Sequence, residues 1–232
     1  MAKECLICCA GALEGAEPSD IKRMIQSSSL LARASRYKKR SALTESLLGA
    51  FCVETCARQL GVLAPIVTSE SSKPHSEQLS FNVSHSAGLA VCIAGAADTG
   101  ELGIDVEVLR SQSERPLRRR IADRYFSANE IVLLESHDCK SYELEFIKLW
   151  TAHEALGKQL GVGIFKGDAA EYAHNNSLLL KHYILKIHSG AIKARPYCCD
   201  EADDITAGEY VVCICIPNDV TVSEIISTNI FQ

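Results

Sequence analysis

The order in which apolar periodicity changes along the 232-residue chain restricts its fold more than any other feature. A strand-like run, CLICCAGAL from Cys5 to Leu13, comes first. Between Leu30 and Leu60 the apolar residues recur at three- and four-residue spacing, with Leu43, Leu47, Leu48, Phe51 and Cys52 on one stripe. That spacing predicts a helix, with Gly61 as its stop; Ser19-Asp20 and the serines at 27–29 supply caps for short helices before it. Phe81–Val83, a Ser-His-Ser turn and Ala87–Ala96 read as strand, turn and buried strand. Asp98-Thr99-Gly100 then turns the chain into Leu102–Val108, which predicts a hairpin. A basic connector, Ser113–Arg120, leads to helical spacing over Arg124–Glu135 and Tyr142–Leu160, and two strands, Leu178–His188 and Glu209–Pro217, follow. Strand, helix, hairpin, helices and strands is an α+β order rather than the alternation that builds a parallel sheet.

Composition narrows the function classes. A net charge of −5 argues against general nucleic-acid binding. Eleven cysteines are an odd number, and Cys5, Cys8, Cys9, Cys92, Cys213 and Cys215 lie on apolar runs. They are expected as small buried hydrophobes of a reduced, cytoplasmic protein. Cys198-Cys199 and Cys213-x-Cys215 lack a partner at zinc-finger spacing. The N-terminal apolar run follows Glu4 and is too short for a signal peptide, and no run approaches the ~18 apolar residues of a membrane span.

The stretch GIDVE, Gly103 to Glu107, places two carboxylates in an apolar strand. With period two, Ile104, Val106 and Val108 share one face and Asp105 and Glu107 the other. Taken alone, a strand with one solvated face accounts for the pair. On the Tyr142–Leu160 helix, Phe146, Leu149, Trp150, Leu156 and Leu160 form an apolar stripe, while Glu154 and Lys158, four apart, neighbour each other. An isolated pair of that kind is worth only about 0.2–0.5 kcal/mol. If Glu154 joins Asp105 and Glu107, the three carboxylates make an all-oxygen site suited to Mg²⁺, with Lys158 one turn on to steady a phosphate oxygen. Ser84-His85-Ser86 combines hydroxyls, an imidazole and turn amides that suit an anion, and Arg33, Arg36, Lys38 and Arg40 add positive charge. The plainer alternatives are a satisfied turn residue and a solvated helix face. Ser127-Ala128-Asn129-Glu130 is a complete capping box, which predicts a structural role for Glu130.

FNVSHS, GIDVE and LWTAHEALGKQLG, in this order and at these separations, resemble the 4′-phosphopantetheinyl transferases of the surfactin-synthetase-activating type. The resemblance runs from about Arg33 to Gly163. It implies transfer of phosphopantetheine from coenzyme A to a serine of an acyl or peptidyl carrier protein, with adenosine 3′,5′-bisphosphate as the other product. It implies an α+β fold of two similar halves, 1–102 and 103–232, about a pseudo-twofold axis, with the site in the cleft between them, in a monomer. By match, Asp105, Glu107 and Glu154 hold Mg²⁺, Lys158 contacts phosphate and helps the leaving group, and Ser84 and His85 lie against the coenzyme's phosphates. Lys73 and Pro74 lie near the adenine, and Arg33, Arg36 and Ser46 match the nucleotide-phosphate region. Glu154 is the first choice for general base and Glu130 the second.

Three positions depart from the family pattern. His153 stands where a lysine is usual, which removes a permanent positive charge beside the base, and the ring is expected to pack. Glu45 stands where many members have a basic residue, and Ser72 replaces the glycine before Lys-Pro. Arg115, Arg118, Arg119, Arg120 and Arg124 form a basic cluster that either docks an acidic carrier or is a solvated surface. Two rivals remain: another Mg²⁺-dependent phosphotransferase or nucleotide hydrolase, against which the lack of a Gly-rich phosphate loop counts, and a non-transferring homologue that binds coenzyme A or a carrier.

Overall fold

A computed structural model describes residues 3–12, 17–62, 75–110, 115–188, 191–197 and 205–230. The chain divides into two compact units, one comprising Met1–Leu102, Ile187–Lys193 and Asp219–Gln232, the other Gly103–Lys186 and Ala194–Asn218. Both mix helices with a four-stranded sheet, so the class is α+β. The halves expected at 102/103 gave the last strand to the second unit, whereas Val220–Ile230 pairs in parallel with Lys3–Ala12 in the first.

In the first unit the sheet is made of β1 (Lys3–Ala12), β2 (Leu79–Ser86), β3 (Leu89–Ala96) and β8 (Val220–Ile230), in the order β2-β3-β1-β8. Three helices accompany it: α1 (Pro18–Met24), α2 (Ser28–Ala34) and α3 (Arg40–Gln59). The predicted helix over Leu30–Leu60 is thus two helices, separated by the Ser-Arg-Tyr-Lys-Lys run at 35–39, a polar and cationic stretch with little to bury. Ser27 caps α2 as its sequence suggests; α1 begins instead at Pro18, whose fixed φ suits a first helical turn. Gly61, at φ +77°, ends α3 as expected. Leu47, Leu48, Cys52, Val53 and Cys56 bury the inner face of α3 against β1 and β3.

The Ser-His-Ser segment is the end of β2 rather than a turn. The turn is Ala87-Gly88, both at positive φ (47° and 82°), the backbone twist that a two-residue hairpin between twisted strands requires. The hairpin is therefore β2–β3. The one expected between β3 and the GIDVE strand does not form, because a 3₁₀ turn at Ala97–Thr99 and Gly100 carries the chain into the other sheet.

That second sheet has the order β4 (Gly103–Val108), β7 (Tyr210–Pro217), β5 (Leu178–His188), β6 (Ala191–Pro196). Among the described residues four helices belong to this unit: α4 (Arg115–Tyr125), α5 (Ala128–Glu135), α6 (Cys139–Leu160) and α7 (Ala169–Asn175). The described part of the expected basic connector is the start of α4, and the predicted Arg124–Glu135 helix is interrupted at Phe126-Ser127, where Ser127 caps α5. Cys5, Cys8, Cys9, Cys52, Cys56, Cys92, Cys213 and Cys215 are all free and buried. Burial pushes the Cys215 thiol up to about 12. Among the described residues no helix is long and apolar enough to cross a membrane.

Candidate active site

The strand β4 lies directly against the helix α6. A methyl group on Gly103 would stand 1.9 Å from the carbonyl oxygen of Ala155, so only a glycine lets backbone meet backbone there. This contact sets two residues of GIDVE opposite the helix turn that carries Glu154 and Lys158. Gly157 plays the same part on the other side of the helix, where an added methyl would strike the Gly163 carbonyl at 1.6 Å. Neither glycine was singled out in the sequence; a glycine inside a strand, or inside a helix with no turn beside it, is the available signal for such an approach.

Asp105 is 4% exposed, so the one-solvated-face alternative does not describe β4. Its Oδ1 accepts a hydrogen bond from Lys158 Nζ at 2.6 Å, and the same ammonium donates to the Ile104 carbonyl at 3.2 Å. Lys158 therefore pairs with the strand. Glu154 sits half-buried one turn earlier. Burial, then the Asp105 carboxylate, push its carboxyl above the usual range; Lys158 pulls against them and Glu107 adds to the rise. Three carboxylates within electrostatic reach of each other, and all hard oxygen donors, make a set whose mutual repulsion a divalent cation would relieve. Among the described residues no group of three or more His, Cys, Asp or Glu side chains stands in metal-binding geometry; Lys158 is the cation at Asp105.

Glu130 and His153 lie deeper. The capping box is complete: Ser127 Oγ accepts from the Glu130 N–H and Glu130 Oε2 accepts from the Ser127 N–H at 2.8 Å. Glu130 Oε1 also accepts from the Ala169 N–H at 3.2 Å, tying α5 to the start of α7. His153, fully buried, places Nε2 at 3.1 and 3.2 Å from the two carboxylate oxygens and Nδ1 at 2.9 Å from the Phe165 carbonyl. A carbonyl only accepts, and a carboxylate taking two amide N–H groups is ionised. Both ring nitrogens thus face acceptor oxygens. The ring is wedged between Phe126 and Phe165, with ring centroids at 4.7 and 6.0 Å. His153 packs, as expected. Burial pushes the Glu130 carboxyl up, but the hydrogen bonds from His153 and the Ser127 amide outweigh it and hold the group below the ordinary carboxylate range.

In the first unit, Ser84 is buried on β2 and His85 is exposed beyond it. Ser46 lies on α3 next to Glu45, Arg33 in the last turn of α2, and Arg36 is exposed just after it. His85 Nδ1 is 3.2 Å from Glu45 Oε2, and the Gly88 N–H donates to Glu45 Oε1 at 3.1 Å. Ser72, Lys73 and Pro74 lie outside the described residues.

The basic cluster on α4 is largely engaged. Arg118, 12% exposed at its side chain, pairs with buried Glu143 at 2.5 Å and stacks over Phe146. Arg115 stacks over Tyr142 and pairs with Glu135, and Arg119 pairs with Asp123 and Glu135. Arg120 and Arg124 are exposed.

Fold and site define an α+β protein whose carboxylates and lysine suit a divalent cation and a phosphorylated ligand. A family model described as the 4′-phosphopantetheinyl transferase superfamily matches residues 101–215. The chain is 37% identical over 103 residues to the 4′-phosphopantetheinyl transferase psf-1 of Bacillus pumilus, a match covering 43% of this chain and 41% of that one. Against the 4′-phosphopantetheinyl transferase AcpT of Escherichia coli O157:H7 it is 31% identical over 138 residues, 57% of this chain and 67% of that one. Against gsp of Aneurinibacillus migulanus the figures are 34% over 98 residues, 42% and 38%. The match thus spans about two fifths of the length of psf-1 and gsp. The chain belongs to the 4′-phosphopantetheinyl transferase superfamily, and its likeness to psf-1 and gsp supports the surfactin-synthetase-activating type.

Proposed function

We propose that the chain transfers 4′-phosphopantetheine from coenzyme A to a serine of an acyl or peptidyl carrier protein and releases adenosine 3′,5′-bisphosphate. The observation that carries this reading is the backbone contact of Gly103 with Ala155, which sets Asp105 beside Lys158 in a corner charged by Glu154 and Glu107. Attack of a serine hydroxyl on the coenzyme's pyrophosphate needs the hydroxyl proton removed and phosphate charge neutralised. Glu154 takes the serine proton. Lys158 contacts the phosphate of the leaving group. Asp105, Glu107 and Glu154 would hold Mg²⁺, which when bound supplies charge neutralisation on the pyrophosphate. Glu130, spent on two amides and His153, positions α5, α6 and α7 instead of acting as a base.

Ser84, His85, Ser46, Arg33 and Arg36 would meet the nucleotide's phosphates, and Lys73 and Pro74 the adenine. Eight free, buried thiols accord with a reducing, cytoplasmic location, and a monomer is the expected state. Incubation of an apo carrier with coenzyme A and Mg²⁺ tests the reading by mass: one serine gains phosphopantetheine. Hydrolysis of free nucleotides without a carrier would favour the phosphohydrolase rival, and binding without mass gain the non-transferring one.

A further inference from the structure

Four thiols meet inside the first unit. Cys8 on β1 and Cys92 on β3 stand directly opposite each other across the antiparallel pair, so their side chains share one face of the sheet. Cys52 and Cys56 on α3 are four residues apart and share one face of the helix. All four lie in one apolar core with no exposure to solvent. The Cys8 thiol meets the thiols of Cys52 and Cys56 and the Thr55 hydroxyl, and Cys56 also meets Cys92. Sγ of Cys52 lies 3.8 Å from the carbonyl oxygen of Ala90, on the strand that carries Cys92. Cys9, next along β1, points to the opposite face of the sheet.

A single buried cysteine needs no role beyond packing, whereas four sulfurs in mutual contact also hold reducing equivalents side by side. Among the described residues no group of three or more His, Cys, Asp or Glu side chains stands in metal-binding geometry, so the chemistry open to these sulfurs is a bond to one another. Hydrogen bonds from Cys52, Cys56 and Thr55 lower the Cys8 thiol against the rise that burial brings, which makes Cys8 the nucleophile of the set. Cys56 lies in the last turn of α3, which ends at Gln59, and Thr55 beside it is half-buried. Fraying of that turn admits a small, neutral oxidant. We propose that Cys8 and Cys52 form a thiol–disulfide site that hydrogen peroxide oxidises, tying α3 to β1. The Cys8 sulfur attacks one peroxide oxygen, the O–O bond breaks, and a sulfenic acid and water result. The Cys52 sulfur then attacks the Cys8 sulfur. The S–S bond forms, the S–O bond breaks, and the Cys52 proton leaves with the hydroxyl as a second water. Two thiols have lost two electrons, and the peroxide has become two waters. Use of Cys52 leaves Cys56 against Cys92, its other neighbour. A dithiol reductant reverses the bond by exchange, so in a reducing compartment it is transient.

The test treats the folded chain with hydrogen peroxide at neutral pH, alkylates the remaining thiols before unfolding, and maps disulfides by peptide mass spectrometry. The expected product joins the β1 peptide to the α3 peptide and is removed by dithiothreitol. It should be lost in Cys8→Ser and Cys52→Ser and kept in Cys9→Ser and Cys56→Ser, with circular dichroism to establish that each variant folds. The crosslinked chain is expected to melt about 5 °C above the reduced one, because the bond closes a long loop in the unfolded chain. A folded wild type whose Cys8 stays reduced at peroxide concentrations that oxidise an exposed thiol overturns the proposal. The same crosslink formed in Cys8→Ser overturns it too. If Cys8→Ser does not fold, the wild-type map decides alone: a bond from Cys8 supports the proposal, and one from Cys5 or Cys9 in its place overturns it. The map needs neither carrier nor coenzyme, so it stands or falls apart from the transfer reading.

Discussion

The ammonium of Lys158 lies 2.6 Å from Oδ1 of Asp105, a carboxylate proposed above to hold Mg²⁺. On that proposal lysine and metal draw on the same acid. Lys158→Gln removes the competing cation, so Mg²⁺ should bind as tightly or more tightly, while kcat for transfer falls about a hundredfold with the phosphate contact gone. Calorimetric titration of Mg²⁺ beside steady-state transfer reads both. Loss of Mg²⁺ binding together with activity would show that Lys158 organises the carboxylates instead.

Glu154 is predicted to trade stability for activity. Burial and Asp105 raise its carboxyl, so the folded chain holds that proton more tightly than the unfolded one. The group thus destabilises the fold progressively as pH rises through the ordinary carboxylate value to the raised one, and fully above it. Glu154→Gln should raise the Tm in metal-free buffer at pH 7, on the order of 1–3 °C, and abolish transfer. A lower Tm would mean that the carboxylate is stabilised where it stands.

Glu130 has the opposite sign. Burial alone would raise its carboxyl, but His153 and the Ser127 amide hold it low, so its ionised form stabilises the fold above the ordinary carboxylate value. That contribution is lost as pH falls below about 4.3 towards the depressed value. Glu130→Gln should lower the Tm at pH 7 and flatten its acid dependence, with less damage to transfer than Glu154→Gln. Thermal melts from pH 7 to 3 check this; an unchanged acid limb would show that the Glu130 carboxyl is not held low in the folded chain.

Much of this was readable from spacing. The α6 stripe, the capping box at Ser127 and the buried thiols all follow from local pattern, because each depends on neighbours a few residues away. What failed depends on distant partners. Leu102–Val108 looks like the second arm of a hairpin, yet it pairs with Tyr210–Pro217, and nothing near Gly103 says so. Val220–Ile230 pairs in parallel with the first strand across nearly the whole chain. The long Leu30–Leu60 periodicity hid a break at 35–39, since apolar spacing persists on both sides of it. At the site, the residue types at 105, 154 and 158 were legible. The surroundings of His153 were not, because its partners are the Phe165 carbonyl, twelve residues on, and Glu130 on another helix.

Arg118 illustrates how a charge run misleads. Arg118→Ala strands the Glu143 carboxylate, 5% exposed, and should cost about 3–5 kcal/mol of stability by chemical denaturation. Carrier docking is tested instead at exposed Arg120, where charge reversal should raise the carrier KM and leave the Tm in place. An unchanged KM would assign the exposed arginines to solvation.

The corner built by Gly103, Asp105, Glu154 and Lys158 is proposed to move phosphopantetheine. Intact-mass and peptide mass spectrometry of an apo carrier, incubated with coenzyme A, Mg²⁺ and either the wild type or folded Asp105→Ala, measures it directly. One phosphopantetheine on one serine is expected with the wild type and none with Asp105→Ala. An unmodified carrier from a folded wild type, or equal modification by both proteins, would contradict it.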